Sequence, residues 1–227
     1  MSQRGPEVRP KGLLHAALAA IEDLEKRGLP AAWMTSGGAS GGDSLSVFAA
    51  AASQTQNIML GTAITQIFPR HPISVAQQAL VLAQLAPCRF RLGLGTSHRG
   101  GMEQTFGIDF EKPLAHLREY IQIAKALLQQ GSVDFAGQYY QAHTSISSPV
   151  DVQVMAAALG PRAYRICGAE ADGAISWVCP GSYLREVALP AMQRGAERAG
   201  RPVPPLIVQV PVCVHENPES TLRSYEV

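Results

Sequence analysis

Two short apolar runs and the helical segment between them constrain the fold of this chain more than any other feature. The runs are 58–64 and 90–96, and each carries glycines near its C-terminal end. Runs this short and apolar on both faces suit buried strands of a parallel sheet, and the periodic segment 73–85, opened by Pro72, suits the crossover helix between them. The stretch 58–98 therefore predicts a strand–helix–strand unit, with chemistry expected in the loops that follow the strands.

The same alternation runs along most of the chain. Helical patterns alternate with strand-like patterns near residues 31, 58, 90, 152, 174 and 206. This alternation is typical of a parallel sheet covered by helices, and both a closed barrel and an open doubly wound sheet fit it. Locally, Asp43 is a predicted N-cap and Pro113 a predicted helix start, and Pro190 is predicted to kink or split a helix over 182–200. The segment 97–112 is predicted to be a long functional loop.

Composition indicates a single domain with a sizeable core. The chain has 227 residues, 46% of them hydrophobic, and a formal net charge of +1. This charge balance argues against nucleic-acid or membrane-surface binding. The four cysteines are widely spaced, and the polar segment 1–12 lacks the apolar core of a signal peptide, so we expect a cytoplasmic protein with one domain over 13–227. The six histidines fall at no ligand spacing, so no metal site is predicted.

Several motifs leave two interpretations open. Gly61 and Gly95 either allow close backbone packing or leave room for a flat ligand against the strand ends. The Gly160-Pro161 step is either a phosphate site at a helix N-terminus or an ordinary helix start. His98 and Glu103 either position a substrate or are solvated loop residues.

Four stretches carry a resemblance to a known family. They read Ile58-Met-Leu-Gly-Thr-Ala-Ile64, Pro69-Arg-His-Pro72, Arg91-Leu-Gly-Leu-Gly-Thr96 and Ala156-Ala-Ala-Leu-Gly-Pro161. Together they resemble the luciferase-like monooxygenase superfamily of flavin- and deazaflavin-dependent oxidoreductases. The Arg-His-Pro and Leu-Gly-Pro elements are most similar to members that use coenzyme F420, a deazaflavin, rather than FMN.

The resemblance implies an α/β fold of the TIM (β/α)8-barrel type. Family members open with a strand before the helix that starts here at Leu13 and continue past the helix predicted to start near Pro218. The barrel is therefore expected to lack its first and last strands, which leaves unpaired edges near Ala31 and Leu206. A partner chain covers that gap, or the sequence is a fragment, or it is a shortened relative.

The resemblance also implies a site at the C-terminal mouth of the barrel. A bulge after the third family strand, often with a non-prolyl cis peptide, would support the cofactor ring, and the turn after the fourth strand would contact the ring edge. His98 is the candidate proton partner in catalysis, because imidazole titrates near neutral pH. Trp177 is either a wall of the substrate pocket or a packing residue of the barrel rim. The candidate cofactor-binding residues are Gly61, Thr62, Ala63, Thr96, Ser97, Glu103, Ala158, Leu159, Gly160 and Pro161.

Three functions follow as hypotheses. The first is an oxidoreductase that transfers a hydride between coenzyme F420 and a small organic substrate. The second is an FMN-dependent luciferase-like monooxygenase. The third is a non-catalytic flavin-binding relative with an incomplete barrel. In each case the expected partners are small molecules or a second copy of the chain, with no nucleic acid and no membrane.

Overall fold

The computed structural model describes residues 12–36 and 42–212. The helix start predicted at 216–219 and all but the last residue of the polar N-terminal segment lie outside the described residues. Of the helices that are described, none combines the length and the apolar character that crossing a bilayer requires.

Helices and strands alternate along the described chain. The helices are α1 (Leu13–Lys26), α2 (Ser44–Ala52), α3 (Pro72–Leu85), α4 (Arg99–Phe106), α5 (Pro113–Lys125), α6 (Pro161–Glu170), α7 (Gly181–Tyr183) and α8 (Leu189–Arg198). The strands are β1 (Ala31–Met34), β2 (Met59–Thr62), β3 (Thr65–Gln66), β4 (Phe90–Gly95), β5 (Ser132–Ala136), β6 (Gln141–Ser145), β7 (Gln153–Ala157), β8 (Gly173–Trp177) and β9 (Leu206–Gln209).

The main sheet is parallel and curls into a half-barrel. Its order is β1-β2-β4-β7-β8-β9, and the short β3 also pairs with β4. Every pairing among these strands is parallel, which requires the crossover helices that the sequence predicts. In the described chain β1 and β9 are the outermost strands, so the two edges lie where the sequence predicts them. Residues 12–36 and 42–212 thus form a fold of the (β/α) barrel type without its first and last strands.

Local sequence signals place most helix boundaries correctly. The Asp43 side chain caps α2 by accepting a hydrogen bond from the backbone N–H of Ser46 at 2.9 Å. Pro72 and Pro113 each stand in the first turn of a helix. Gly131 ends the helical stretch after α5 with a φ of 85°, a left-handed conformation that favours glycine.

Two segments differ from what the sequence predicts. The segment predicted as a long loop contains α4, whose two glycines and single buried side chain, Met102, give a weak helical signal. The hairpin β5–β6 has mostly exposed residues and was not predicted from strand patterns. The helical stretch predicted to kink or split at Pro190 is indeed divided there. A new helix, α8, begins at Leu189 with Pro190 in its first turn, and a π-helical segment, Leu184–Ala188, joins α7 to it.

The strand β4 is buried on both faces, which explains its continuous apolar sequence. Leu92 and Leu94 are fully buried in the core between the sheet and the helices. Gly93 and Gly95 alternate with them and face the inside of the half-barrel, where a Cβ atom would lie 2.7 Å from side-chain atoms of Ile175 and Ile64, respectively.

Two glycines let α6 and α8 approach closely. A Cβ on Gly168 would overlap the backbone carbonyl of Met192, and one on Gly195 would overlap that of Arg165. The contact fixes α6 against α8, and α6 begins at the mouth of the half-barrel.

Glu25 ties α1 to the turn that leads into β2. Its Oε1 atom accepts hydrogen bonds from the backbone N–H groups of Gln56, Asn57 and Ile58 at 2.9, 2.6 and 2.9 Å. The bonds from Asn57 and Ile58 hold the pKa of Glu25 below its ordinary value of 4.5.

We expect the Glu25 carboxylate to make stability depend on acid pH. A carboxyl whose pKa is depressed by folding stabilises the fold above its ordinary pKa, and this contribution is lost as pH falls towards the folded-state value. The urea midpoint of the wild type should therefore drop between about pH 5 and pH 3 more steeply than that of Glu25→Gln. Glu22→Gln is the control, since Glu22 pairs only with Lys26 at 3.6 Å on the surface. Parallel curves for the wild type and Glu25→Gln would contradict the assignment.

Candidate functional site

A cavity of about 750 Å³ opens at the carboxyl ends of the parallel strands. Each strand of the main order delivers residues to it from its C-terminal end or the loop that follows. The lining residues are Thr35, Ser36, Ala63, Ile64, Gln66, Thr96, Ser97, His98, Leu114, Leu117, Ala157, Ala158, Leu159, Gly160, Pro161, Arg162, Ala163, Ile175, Trp177 and Gln209. Nine of the twelve predicted site residues belong to this lining.

Gly61 is not part of the lining, because a protein side chain fills the space beside it. A Cβ atom on Gly61 would lie 2.5 Å from the ring of Trp33. Gly95 is packed in the same way against Ile64 and Ala157. Of the two interpretations left open by the sequence, the structure therefore favours close packing at both glycines.

Thr62 also stays outside the cavity and instead joins two strands. Its side chain is buried, and its hydroxyl donates to the carbonyl of Gly93 and accepts from the N–H of the same residue, both at 2.8 Å. The next two residues do reach the cavity. They are Ala63 and Ile64, and the peptide bond between them is cis, where the family resemblance implies such a bond.

The polar edge of the cavity is formed by β3 and the turn after β4. The Gln66 amide donates a hydrogen bond to the Ser97 hydroxyl at 3.3 Å. Ser97 has a φ of 61°, a left-handed conformation that is uncommon outside glycine and concentrates at functional sites. The side chain of His98 follows at the N-cap of α4 and is exposed to solvent within the cavity lining.

Glu103 is separated from the cavity because its segment is a helix rather than a loop. Its carboxylate accepts a hydrogen bond from Arg99 one turn earlier, with Nη1 and Oε1 2.6 Å apart on the surface of α4. Glu103 is not among the lining residues, and this ion pair engages its carboxylate on the surface of the helix.

The Leu159-Gly160-Pro161 turn meets the cavity at the start of α6. Space is open beside Gly160, since a Cβ atom there would contact nothing within 4 Å. Pro161 has no N–H, and the N–H groups of Arg162 and Ala163 have no acceptor within the helix. The Tyr183 hydroxyl donates to the carbonyl of Leu159 at 2.7 Å and braces the turn from α7. These free donors and the Arg162 guanidinium make this end of the cavity suitable for an anion.

The Arg-His-Pro motif lies outside the cavity lining and contacts two helix starts. Arg70 forms an ion pair with Asp43, the cap of α2, and His71 Nδ1 accepts a hydrogen bond from Ile73 N at 3.3 Å at the start of α3. Burial raises the pKa of Asp43, but the bonds from Arg70 and Ser46 outweigh it and lower the pKa. The motif therefore joins the N-termini of two helices.

Sequence reasoning missed several lining residues. Leu114 and Leu117 belong to the apolar stripe of α5, and the pattern does not distinguish a side chain that faces the core from one that faces a cavity. Gln66 could have been found, because it is a polar residue that follows closely after a predicted strand. Arg162 likewise follows directly on a motif that was singled out.

The sequence is similar to known proteins over most of its length. The profile described as luciferase-like monooxygenase matches residues 1–226. An F420-dependent glucose-6-phosphate dehydrogenase of Nocardia farcinica is 32% identical over 195 residues, which cover 80% of this chain and 57% of that protein. The chain thus spans little more than half the length of this curated relative.

Solved structures support the fold. An F420-dependent secondary alcohol dehydrogenase in complex with an F420-acetone adduct superposes with a TM-score of 0.79 at 20% identity, over 87% of this chain and 65% of the other. The oxygenating constituent of 3,6-diketocamphane monooxygenase from Pseudomonas putida, in complex with FMN, gives 0.73 at 17% identity, over 96% and 68%.

Proposed function

Because the chain belongs to the luciferase-like monooxygenase family, we propose that it is an oxidoreductase that transfers a hydride between coenzyme F420 and an organic substrate. The observation that carries this proposal is the cavity at the strand ends. It combines apolar walls, a neutral polar edge and a helix N-terminus with free donors. A tricyclic redox ring with an anionic tail needs all three.

The residues present fit such a cofactor. Ala63, Ile64 and the Thr96-Ser97 turn would hold the ring, and the Gly160 turn with Arg162 would hold a phosphate of the tail. When bound, the cofactor supplies a ring carbon that gives or takes a hydride. The open space beside Gly160 supports the assignment of the tail.

The chain itself would orient the substrate and move a proton. A hydride that leaves an alcohol carbon is accompanied by loss of the hydroxyl proton, and the imidazole of His98 would take that proton or return it in the reverse direction. The apolar side chains of Ile64, Leu117 and Ile175 would keep water from the reacting atoms.

FMN is the alternative cofactor, and an FMN-dependent monooxygenase is the alternative activity. The complex of a structural neighbour with FMN supports it. A non-catalytic flavin-binding role remains the third hypothesis, and it differs from the first two in predicting binding without turnover.

Titration with F420 and with FMN, followed by ring fluorescence, tests the proposal. We expect saturable binding of F420 that is tighter than binding of FMN. Gly160→Leu should abolish it by filling the cavity, whereas Gly181→Leu, at another open glycine outside the lining, should not. Tight FMN binding without F420 binding would favour the monooxygenase, and binding of neither would refute the proposal.

Loss of the Tyr183 hydroxyl should weaken cofactor binding. Tyr183→Phe removes the hydrogen bond to Leu159 O and leaves the ring of the side chain in place. A net hydrogen bond contributes about 1 kcal/mol, so the Kd for F420 should rise about fivefold. Tyr139→Phe, on the hairpin turn, is the control, and an equal effect of both variants would show that Tyr183 does not act through the turn.

A further inference from the structure

We infer that the substrate of this cavity is an uncharged, largely apolar organic molecule and not a sugar phosphate. The inference rests on the proposed function, because it concerns the part of the cavity that a bound cofactor leaves free. It separates this chain from the curated relative named for glucose 6-phosphate.

The described lining of the cavity carries little permanent charge. Among the described lining residues, Arg162 is the only side chain with a permanent charge. It lies in the first turn of α6 beside Gly160, where the cofactor tail is proposed to bind. The other polar lining residues are neutral hydroxyls, amides and one imidazole. A substrate phosphate requires cationic partners of its own when it leaves water, and the described lining offers no permanent cation besides Arg162.

Large apolar side chains are exposed at the mouth of the cavity. Trp177 is 55% exposed and Leu159 is 50% exposed, although both line the cavity. Their neighbours Ile64, Leu114 and Ile175 extend this surface into the interior. Covering such surface with an apolar ligand is favourable in proportion to the area removed from water, whereas a hydrated phosphate gains nothing there.

The cavity is large enough for a substrate beside a cofactor ring. Small-molecule sites typically enclose about 300–1,000 Å³. At about 750 Å³ the cavity has room for a ring system and a second, smaller molecule beside it. Gln66 and His98 lie on one edge, so the substrate can carry a single polar function towards that edge.

Calorimetric titration of the F420-saturated protein tests the inference, with 2-octanone and glucose 6-phosphate as the two probes. We expect saturable binding of 2-octanone with a negative heat-capacity change, which marks burial of apolar surface. Glucose 6-phosphate should give no saturable heat. Trp177→Lys should raise the Kd for 2-octanone at least about tenfold, because it replaces apolar surface with a charge.

Two further variants separate a local effect from a loss of folding. Trp177→Phe keeps an apolar ring and should bind 2-octanone nearly as well as the wild type. Val81→Lys places the same charge at a valine of α3 that is 51% exposed and does not line the cavity, and it should bind like the wild type.

The outcomes distinguish the inference from the proposed function. Binding of glucose 6-phosphate as tight as that of 2-octanone, or no binding of 2-octanone to a protein that binds F420, overturns the inference and leaves the cofactor assignment intact. If neither F420 nor FMN binds, the proposed function fails. The inference, which needs a bound cofactor, then fails with it.

Discussion

Replacing Gly93 with alanine is expected to lower the free energy of unfolding by at least about 3 kcal/mol. A Cβ atom at this position would overlap the carbonyl oxygen of Thr62 on the neighbouring strand and lie 2.7 Å from Ile175 Cδ1. The carbonyl cannot move aside, because the Thr62 hydroxyl is hydrogen-bonded to both the N–H and the C=O of Gly93 at 2.8 Å. The clash is therefore relieved only by separating β2 from β4.

The matched control is the same substitution in a helix. Gly101 lies inside α4, and a Cβ atom there would meet nothing within 4 Å. Gly101→Ala should stabilise the protein by about 0.5–1 kcal/mol, since glycine is unfavourable in a helix interior. Urea denaturation followed by circular dichroism measures both changes, and an unchanged midpoint for Gly93→Ala would contradict the packing of the two strands.

The order of helices and strands was predictable because its signals are local. Pro72, Asp43 and Gly131 act within one or two turns of the chain, and each one marks an observed boundary. The hairpin β5–β6 carries no comparable local signal. Its turn is held by Glu119 on α5, which accepts hydrogen bonds from the backbone N–H groups of residues 138–140 at 2.9–3.1 Å. A contact over about twenty residues leaves no trace in strand periodicity.

The position of the site was predictable, but the direction of its side chains was only partly so. Parallel strands end at the same edge, and this rule alone brings Ala63, Thr96 and Gly160 to one cavity. Which residue of a strand end points inward depends on its register and on the loop that follows. Thr62 therefore faces a neighbouring strand, and Glu103 turns away because α4 replaces the predicted loop.

Removal of the His98 imidazole is expected to reduce turnover about 10²–10⁴-fold, the usual contribution of a positioned acid or base. Oxidation of 2-octanol with F420, followed by the absorbance of the deazaflavin, measures the rate. His98→Ala should bind F420 nearly as tightly as the wild type, because the ring contacts are proposed for other residues. His143→Ala is the control, since His143 pairs with Asp134 on the exposed hairpin, with Nδ1 and Oδ1 2.6 Å apart.

The pH dependence of turnover distinguishes proton transfer from a role in shaping the cavity. If His98 moves the proton, the wild-type rate depends on pH through this residue, and His98→Ala loses that dependence. His98→Gln keeps a polar side chain of similar length that cannot exchange a proton, so it should be as slow as His98→Ala. Recovery of most of the rate in His98→Gln, or an unchanged pH profile in His98→Ala, would show that the residue only positions the substrate.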